Sequence, residues 1–290
     1  MKSFYRFHTV GVLLAFGLAL ALFGSCAPTP KRGFAKKECT DCHGDFEKRT
    51  FSRRHLHQPL EERSCDACHM RHGVLGQLIL KKQGNELCHE CHSREAVGMD
   101  RAHVHTALEV NGKCTACHDP HSSQEPGLLK DEPKKVCYQC HDPDAFSGRM
   151  VHQVLADQDC SACHSAHGSA QKNLLLQPEA TLCGECHQTG GGAFRKAHDG
   201  YPVETTSCMT CHSPHASAQE ALLKTSAHEP MVSRDCIACH NAAGSSKPFA
   251  VTGSGTDLCG GCHDIESLGA GTVSHLPFSD GDCLSCHDPH

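Results

Sequence analysis

The sequence predicts a mostly irregular chain with short α-helices and little or no β-sheet, strung out as an extended array rather than folded around a side-chain core. Three observations carry this. The 290 residues contain no Trp, 3 Tyr and 11 Phe, and the 38% apolar content counts 23 cysteines. Without those cysteines the apolar fraction falls to roughly 30%, well short of the usual 45–50% of globular domains. The second observation is that 22 of the 23 cysteines fall into eleven CxxCH motifs, leaving only Cys26. The third is that the motifs recur in tandem, a pattern to be recognised before any element is assigned.

Each motif implies its own chemistry. Two thiols three positions apart can each close a thioether to one edge of a haem, and the imidazole that follows meets the iron from below. The anchoring pairs are Cys39 and Cys42, Cys65 and Cys68, Cys88 and Cys91, Cys114 and Cys117, Cys137 and Cys140, and Cys160 and Cys163. They continue with Cys183 and Cys186, Cys208 and Cys211, Cys236 and Cys239, Cys259 and Cys262, and Cys283 and Cys286. The proximal ligands are then His43, His69, His92, His118, His141, His164, His187, His212, His240, His263 and His287.

Other cysteine chemistries fit less well. Zinc ribbons pair CxxC units with no need of His after every second Cys, and iron–sulfur runs need a third close cysteine. Disulfides within CxxC pairs would be redox-active and would leave the adjacent histidines unexplained. Eleven covalent haem c groups also supply the missing core, one apolar plate for about 24 residues of chain. The haem-free chain is therefore expected to be disordered until haem is attached, as small metallo-domains wait for metal.

The array spans 39–290. In each repeat a first CxxCH is followed by a free His and then by a second CxxCH that ends in HxxH. The repeats are 39–72, 88–121, 137–167, 183–215 and 259–290, with a half-unit at 228–240 that lacks the HxxH. Connectors share a form: Leu78-Ile79-Leu80, Leu128-Leu129, Leu174-Leu175-Leu176 and Leu222-Leu223 follow second motifs, and Leu87, Val136, Leu182 or Leu258 precedes the next first motif. These read as short helical or extended pieces that pack on porphyrin. Pro120, Pro214 and Pro289 should stop any helical turn of their motifs at or just after the histidine. Gly and Ser enrichment over 244–255 marks the expected flexible joint.

The chain has 26 histidines. Setting aside His8 and the motif histidines leaves 14 candidates for eleven distal positions. The HxxH set gives His72, His121, His167, His215 and His290. The mid-repeat set gives His55 or His57, His103 or His105, His152, His198 and His275, and His228 completes it. The spares are one of each adjacent pair and His89, which lies inside its own motif. One distal His per haem predicts bis-histidine, six-coordinate iron throughout. An HxxH histidine lies at most about 10 Å along the backbone from its own proximal ligand. The haem and its thioether edge block the way to the opposite face, so each of these histidines should ligate a neighbouring haem.

The N-terminus reads as an export signal over 1–25, in which Lys2 and Arg6 precede an apolar run from Val10 to Phe23 that is short for a membrane span. Phe23-Gly24-Ser25-Cys26 resembles a bacterial lipobox, with Phe23 in place of the usual Leu. That resemblance implies lipidation of Cys26 and, with Ala27 next, sorting to the outer membrane. Acyl chains would hold the protein to a bilayer. The linker over 26–38 carries Lys31, Arg32, Lys36 and Lys37, a basic but solvated tether.

The formal net charge is −6. Haem propionates would add roughly 22 negative charges, partly offset by ferric iron, which excludes nucleic acid as a partner and favours small cationic or soluble redox proteins.

The doubled motif, as in Cys114–His121 followed by Leu128-Leu129 and Cys137–His141, resembles the multihaem c-type cytochromes of bacterial respiration and extracellular electron transfer. The resemblance covers Cys39 to His290. It implies closely spaced haems acting as a wire in the periplasm, in an outer-membrane conduit or on the cell surface, with periplasmic cytochromes, a porin or a surface cytochrome as partners. No catalytic residue is expected. Two other readings are a multihaem reductase or oxidase of a small nitrogen or sulfur compound, and a subunit of an extracellular haem filament. In related nitrite reductases Lys replaces a motif His, whereas all eleven motifs here keep His. An open iron would be expected at His240, in the half-unit without HxxH.

Overall fold

A computed structural model describes residues 37–72, 76–109 and 114–290. The stretch expected to be an export signal, Cys26 and most of the basic linker lie outside the described residues. The chain divides into two compact units, Met1–Glu47 and Lys48–His290. Among the described residues no helix is long and apolar enough to cross a membrane.

In the first unit Cys39–Asp41 forms a single 3-10 turn, and the Glu38 N–H donates to Asp41 Oδ2 at 2.9 Å. The second unit repeats two kinds of motif turn. First motifs close short α-helices: Asn85–Cys88, Pro133–Cys137, Glu179–Gly184 and Gly255–Cys259. Second motifs are isolated 3-10 turns, such as Cys65–Ala67, Cys114–Ala116 and Cys160–Ala162. In both kinds the histidine N–H donates to the carbonyl of the first cysteine at 2.9–3.0 Å. That one-turn closure puts both thiols and the imidazole on one side of a single loop of backbone.

Among the described residues the strands are two residues long: β1 (His55–Leu56), β2 (His103–Val104), β3 (Ser122–Ser123), β4 (Met150–Val151), β5 (Gly168–Ser169) and β6 (Ala216–Ser217). They pair antiparallel as β1 with β3, β2 with β5 and β4 with β6. Each pair joins the segment before a mid-repeat histidine to the segment after the HxxH of the next repeat. One more bond extends each ladder: the N–H of His57 donates to the His121 carbonyl at 2.9 Å, His105 to His167 at 2.8 Å and His152 to His215 at 2.9 Å. The contact is close enough that a Cβ on Gly168 would fall 2.1 Å from the Gly98 carbonyl oxygen, so only glycine fits there.

These stitches bury serine, not hydrocarbon. Ser122, Ser123, Ser169 and Ser217 are buried. The Ser169 hydroxyl donates to the Leu175 carbonyl and accepts the Gln171 N–H at 2.9 Å; Ser123 does the same for Leu129 and Glu125, and Ser217 for Leu223 and Gln219. Each hydroxyl thus fixes the connector that follows its motif. Replacing Ser169 with Ala leaves a half-buried carbonyl and a half-buried N–H without this partner, so denaturant unfolding of the holoprotein should show a loss of about 0.5–1.5 kcal/mol.

The leucine connectors fold as tight 3-10 turns at Pro126–Leu128, Lys172–Leu174 and Glu220–Leu222. Each returns to its motif as a β-bridge: His118 to Leu129, His164 to Leu175 and His212 to Leu223. The glycine- and serine-rich stretch expected as a joint does the same. There Val251 bridges His240, and the Asn241 N–H donates to the Ala250 carbonyl at 3.0 Å. The histidine-anchored return outweighs the local glycine content. Among the described residues the buried apolar side chains are only Leu60, Met99, Val136, Tyr201 and Ala216.

Candidate haem sites

The connector turn has a chemical purpose at the second motifs. Gly127, Asn173 and Ala221 have φ of 65°, 55° and 53°, and their carbonyls lie 2.7, 2.8 and 2.9 Å from the Nδ1 of His118, His164 and His212. The Phe249 carbonyl serves His240 at 3.0 Å. A carbonyl only accepts, so Nδ1 carries the proton and the Nε2 lone pair is left for a metal. Asn173 and Ala221 hold left-handed backbone that costs them energy without glycine's freedom, as residues at functional sites do. His57 and His152 are oriented alike, through the carbonyls of Pro120 at 2.9 Å and Pro214 at 3.0 Å.

Opposite these motif histidines stand second imidazoles. His57 stacks on His92 with ring centres 6.0 Å apart and planes 19° apart, His105 on His141 at 6.1 Å and 9°, and His152 on His187 at 6.0 Å and 23°. His228 stacks on His263 at 5.8 Å and 16°. The HxxH histidines pair further back: His121 with His69 at 6.0 Å, His167 with His118 at 6.0 Å, His215 with His164 at 5.9 Å and His290 with His240 at 5.9 Å. His198 meets His212 at 6.2 Å, with the planes 76° apart.

These separations fit an iron between the rings. An imidazole nitrogen lies about 2 Å from a bound transition metal, on the metal side of its ring centre, so two rings on opposite faces of one iron have centres about 6 Å apart. Burial lowers the pKa of His121, His167, His212, His215 and His290, which favours the neutral ring a metal requires. The donor set, two thiols and two imidazoles at each of the nine paired positions, suits covalent haem c.

Each HxxH histidine seen in a pair serves the second motif before its own. Of the mid-repeat and half-unit histidines, His57, His105, His152 and His228 each face the first motif that follows. His55 and His103 sit in strands β1 and β2, and among the described residues neither stacks on a motif histidine; His57 and His105, two residues on, take that place. His240, where the reductase reading would place an open iron, has a nearly parallel partner, since His290 lies 6° from its plane. His89 turns its Nδ1 to the His92 carbonyl at 2.9 Å, inside its own motif. His43 belongs to the first compact unit, and His72 lies half-buried in the second. His275 caps the helix Leu276–Ser279, and among the described residues neither it nor His287 has an imidazole stacked on it.

Neighbouring motifs adjoin along the chain. The first cysteines within one repeat adjoin closely enough to interact electrostatically, Cys88 with Cys114, Cys137 with Cys160 and Cys183 with Cys208. Burial, then the adjacent sulfur, pushes Cys88, Cys137 and Cys183 up to about 11. Between repeats, Cys117 lies within electrostatic reach of Cys140 and Cys163 of Cys186. The thioether edges therefore form a continuous row.

The sequence model of the Doubled CXXCH motif family matches residues 57–97, 105–146, 152–192, 201–227 and 228–267, more than half of the chain. Among curated proteins none matches. The matched segments begin near a mid-repeat histidine and, except for 201–227, run through a second motif and the next first motif. Four of them therefore enclose one imidazole pair each: His57 with His92, His105 with His141, His152 with His187, and His228 with His263. By these matches the chain belongs to the doubled CXXCH motif family, and with them the paired imidazoles and the row of thiol pairs identify a multihaem c-type cytochrome that transfers electrons.

Proposed function

We propose that the protein is an undecahaem lipoprotein that carries electrons between the periplasm and the outer membrane or cell exterior, in anaerobic or extracellular respiration, in exchange with other redox proteins. The observation that supports this reading best is the second imidazole placed opposite nine motif histidines. Bound haem supplies a one-electron ferric–ferrous couple. Two imidazoles on opposite sides of an iron leave no position for substrate and let the charge change without ligand exchange. The cysteine row keeps successive sites adjacent, as electron transfer between them requires.

Carbon monoxide tests this on reduced protein whose mass gives eleven haems. The visible difference spectrum should change by no more than about two haem equivalents, because the nine paired positions are closed. A larger change would overturn the carrier reading. A reductase has one specific observation in its favour, the exposed His287 without a stacked imidazole. A one-haem shift that vanishes when Cys283 and Cys286 are replaced would move the assignment there.

A further inference from the structure

We infer that His198 is the second ligand of the iron held by Cys208, Cys211 and His212, and that it binds with its ring crossed against His212 instead of stacked on it. The inference rests on the bis-histidine reading and adds which residue closes this position and in what geometry.

The register of the array shows why this position differs. A second-motif histidine takes its partner from the HxxH of the next second motif, as His164 takes His215. The second motif after His212 reads His240-Asn241-Ala242-Ala243, and Ala243 stands where that partner would be. The deficit created by the half-unit therefore falls one motif upstream, on His212 and not on His240. In the same register the first motif that His198 would serve is missing, because the half-unit has only one motif. A site without a ligand and a ligand without a site arise from one deletion.

The backbone brings the two together. His57, His152 and His228 precede the first residue of a short helix, whereas His198 follows the last residue of the helix Gly192–Ala197. Asp199 and Gly200, at φ of 51° and 80°, then reverse the chain. A Cβ on Gly200 would meet the Ala243 side chain at 3.8 Å, so this turn closes on the vacated place. Tyr201, 5% exposed, holds it there by donating its hydroxyl to the Asn241 carbonyl at 2.8 Å. The His198 Nδ1 donates to the Phe194 carbonyl at 2.8 Å, which leaves the Nε2 lone pair for iron. Arriving from a helix end, the ring meets His212 at 76° and a centre distance of 6.2 Å.

Crossed imidazoles keep the iron orbitals that π-bond to them nearly degenerate, and the ferric low-spin EPR spectrum then extends to much larger g than for parallel rings. Low-temperature EPR of oxidised holoprotein should contain such a large-g signal worth one haem. His198→Ala should abolish it, introduce a high-spin signal of the same size and add one equivalent of carbon monoxide binding after reduction. His198→Met should also remove the large-g signal yet keep the iron low-spin, which separates ligand loss from misfolding. A native spectrum without the large-g signal, or one unchanged in His198→Ala, would overturn the inference. Failure of the bis-histidine reading itself looks different: most haems of the native protein would be high-spin.

Discussion

Made without haem, the chain will lose nearly all of its native structure, with far-UV circular dichroism and proteolysis resembling those of a denatured protein. The expectation follows from how little the polypeptide buries. The chain exposes 21918 Å², whereas a packed monomer of its mass exposes about 12,000 Å². Five buried apolar side chains offset only a small part of the roughly 1–2 kcal/mol of backbone entropy that each ordered residue costs. Two-residue strands do not stand alone in water either. The covalent plates must therefore supply the missing apolar contact, and their attachment is the folding step. Cooperative unfolding of haem-free protein would show that the serine stitches and short turns suffice by themselves.

Replacing His121 with Ala should open an iron that is not its own. The ring of His121 lies 6.0 Å from His69, so the haem of Cys65 and Cys68 loses its second ligand while that of Cys114 and Cys117 stays closed. Reduced His121→Ala protein should take up one additional equivalent of carbon monoxide. The measurement becomes decisive in a second background. With Cys65 and Cys68 both replaced by Ala, no haem remains for His121 to serve, and adding His121→Ala should add no carbon monoxide binding. An extra equivalent in that background would mean that His121 ligates some other haem.

Much of this was legible in the sequence because the chemistry is local. A CxxCH turn needs five residues and closes on itself, so the thiol pairs and motif histidines could be named without any fold. The scarcity of regular structure followed from a composition too poor in apolar side chains to support it. Ligand exchange between neighbouring sites followed from chain length alone, since an HxxH histidine cannot reach round its own ring.

What the residues did not show was register. His55 lies in the two-residue strand and His57 just after it, and that register is decided by pairing with Ser122 and Ser123, 66 or more positions away in the sequence. The missing HxxH after His240 made that motif the place to look for an open iron under the reductase reading, because ligand loss was read as local. The partner of a second motif comes from the next one, so the loss is passed to His212. The return of the Gly–Ser stretch over 244–255 to its motif, through Val251 and His240, is likewise something composition does not reveal.

The serine-stitched exchange also bears on how such a chain can change in length. Partners along the array lie about 35 or about 50 residues apart, so each site depends only on its near neighbours, as in other quasi-one-dimensional proteins. Duplicating or deleting one whole repeat leaves every other partnership in phase, and an ancestral array could gain or lose conducting length without being rebuilt. Loss of half a repeat is the costlier event, because it strands one histidine and one iron together. The turn at Asp199 and Gly200 shows how a lineage can survive it, by marrying the two orphans.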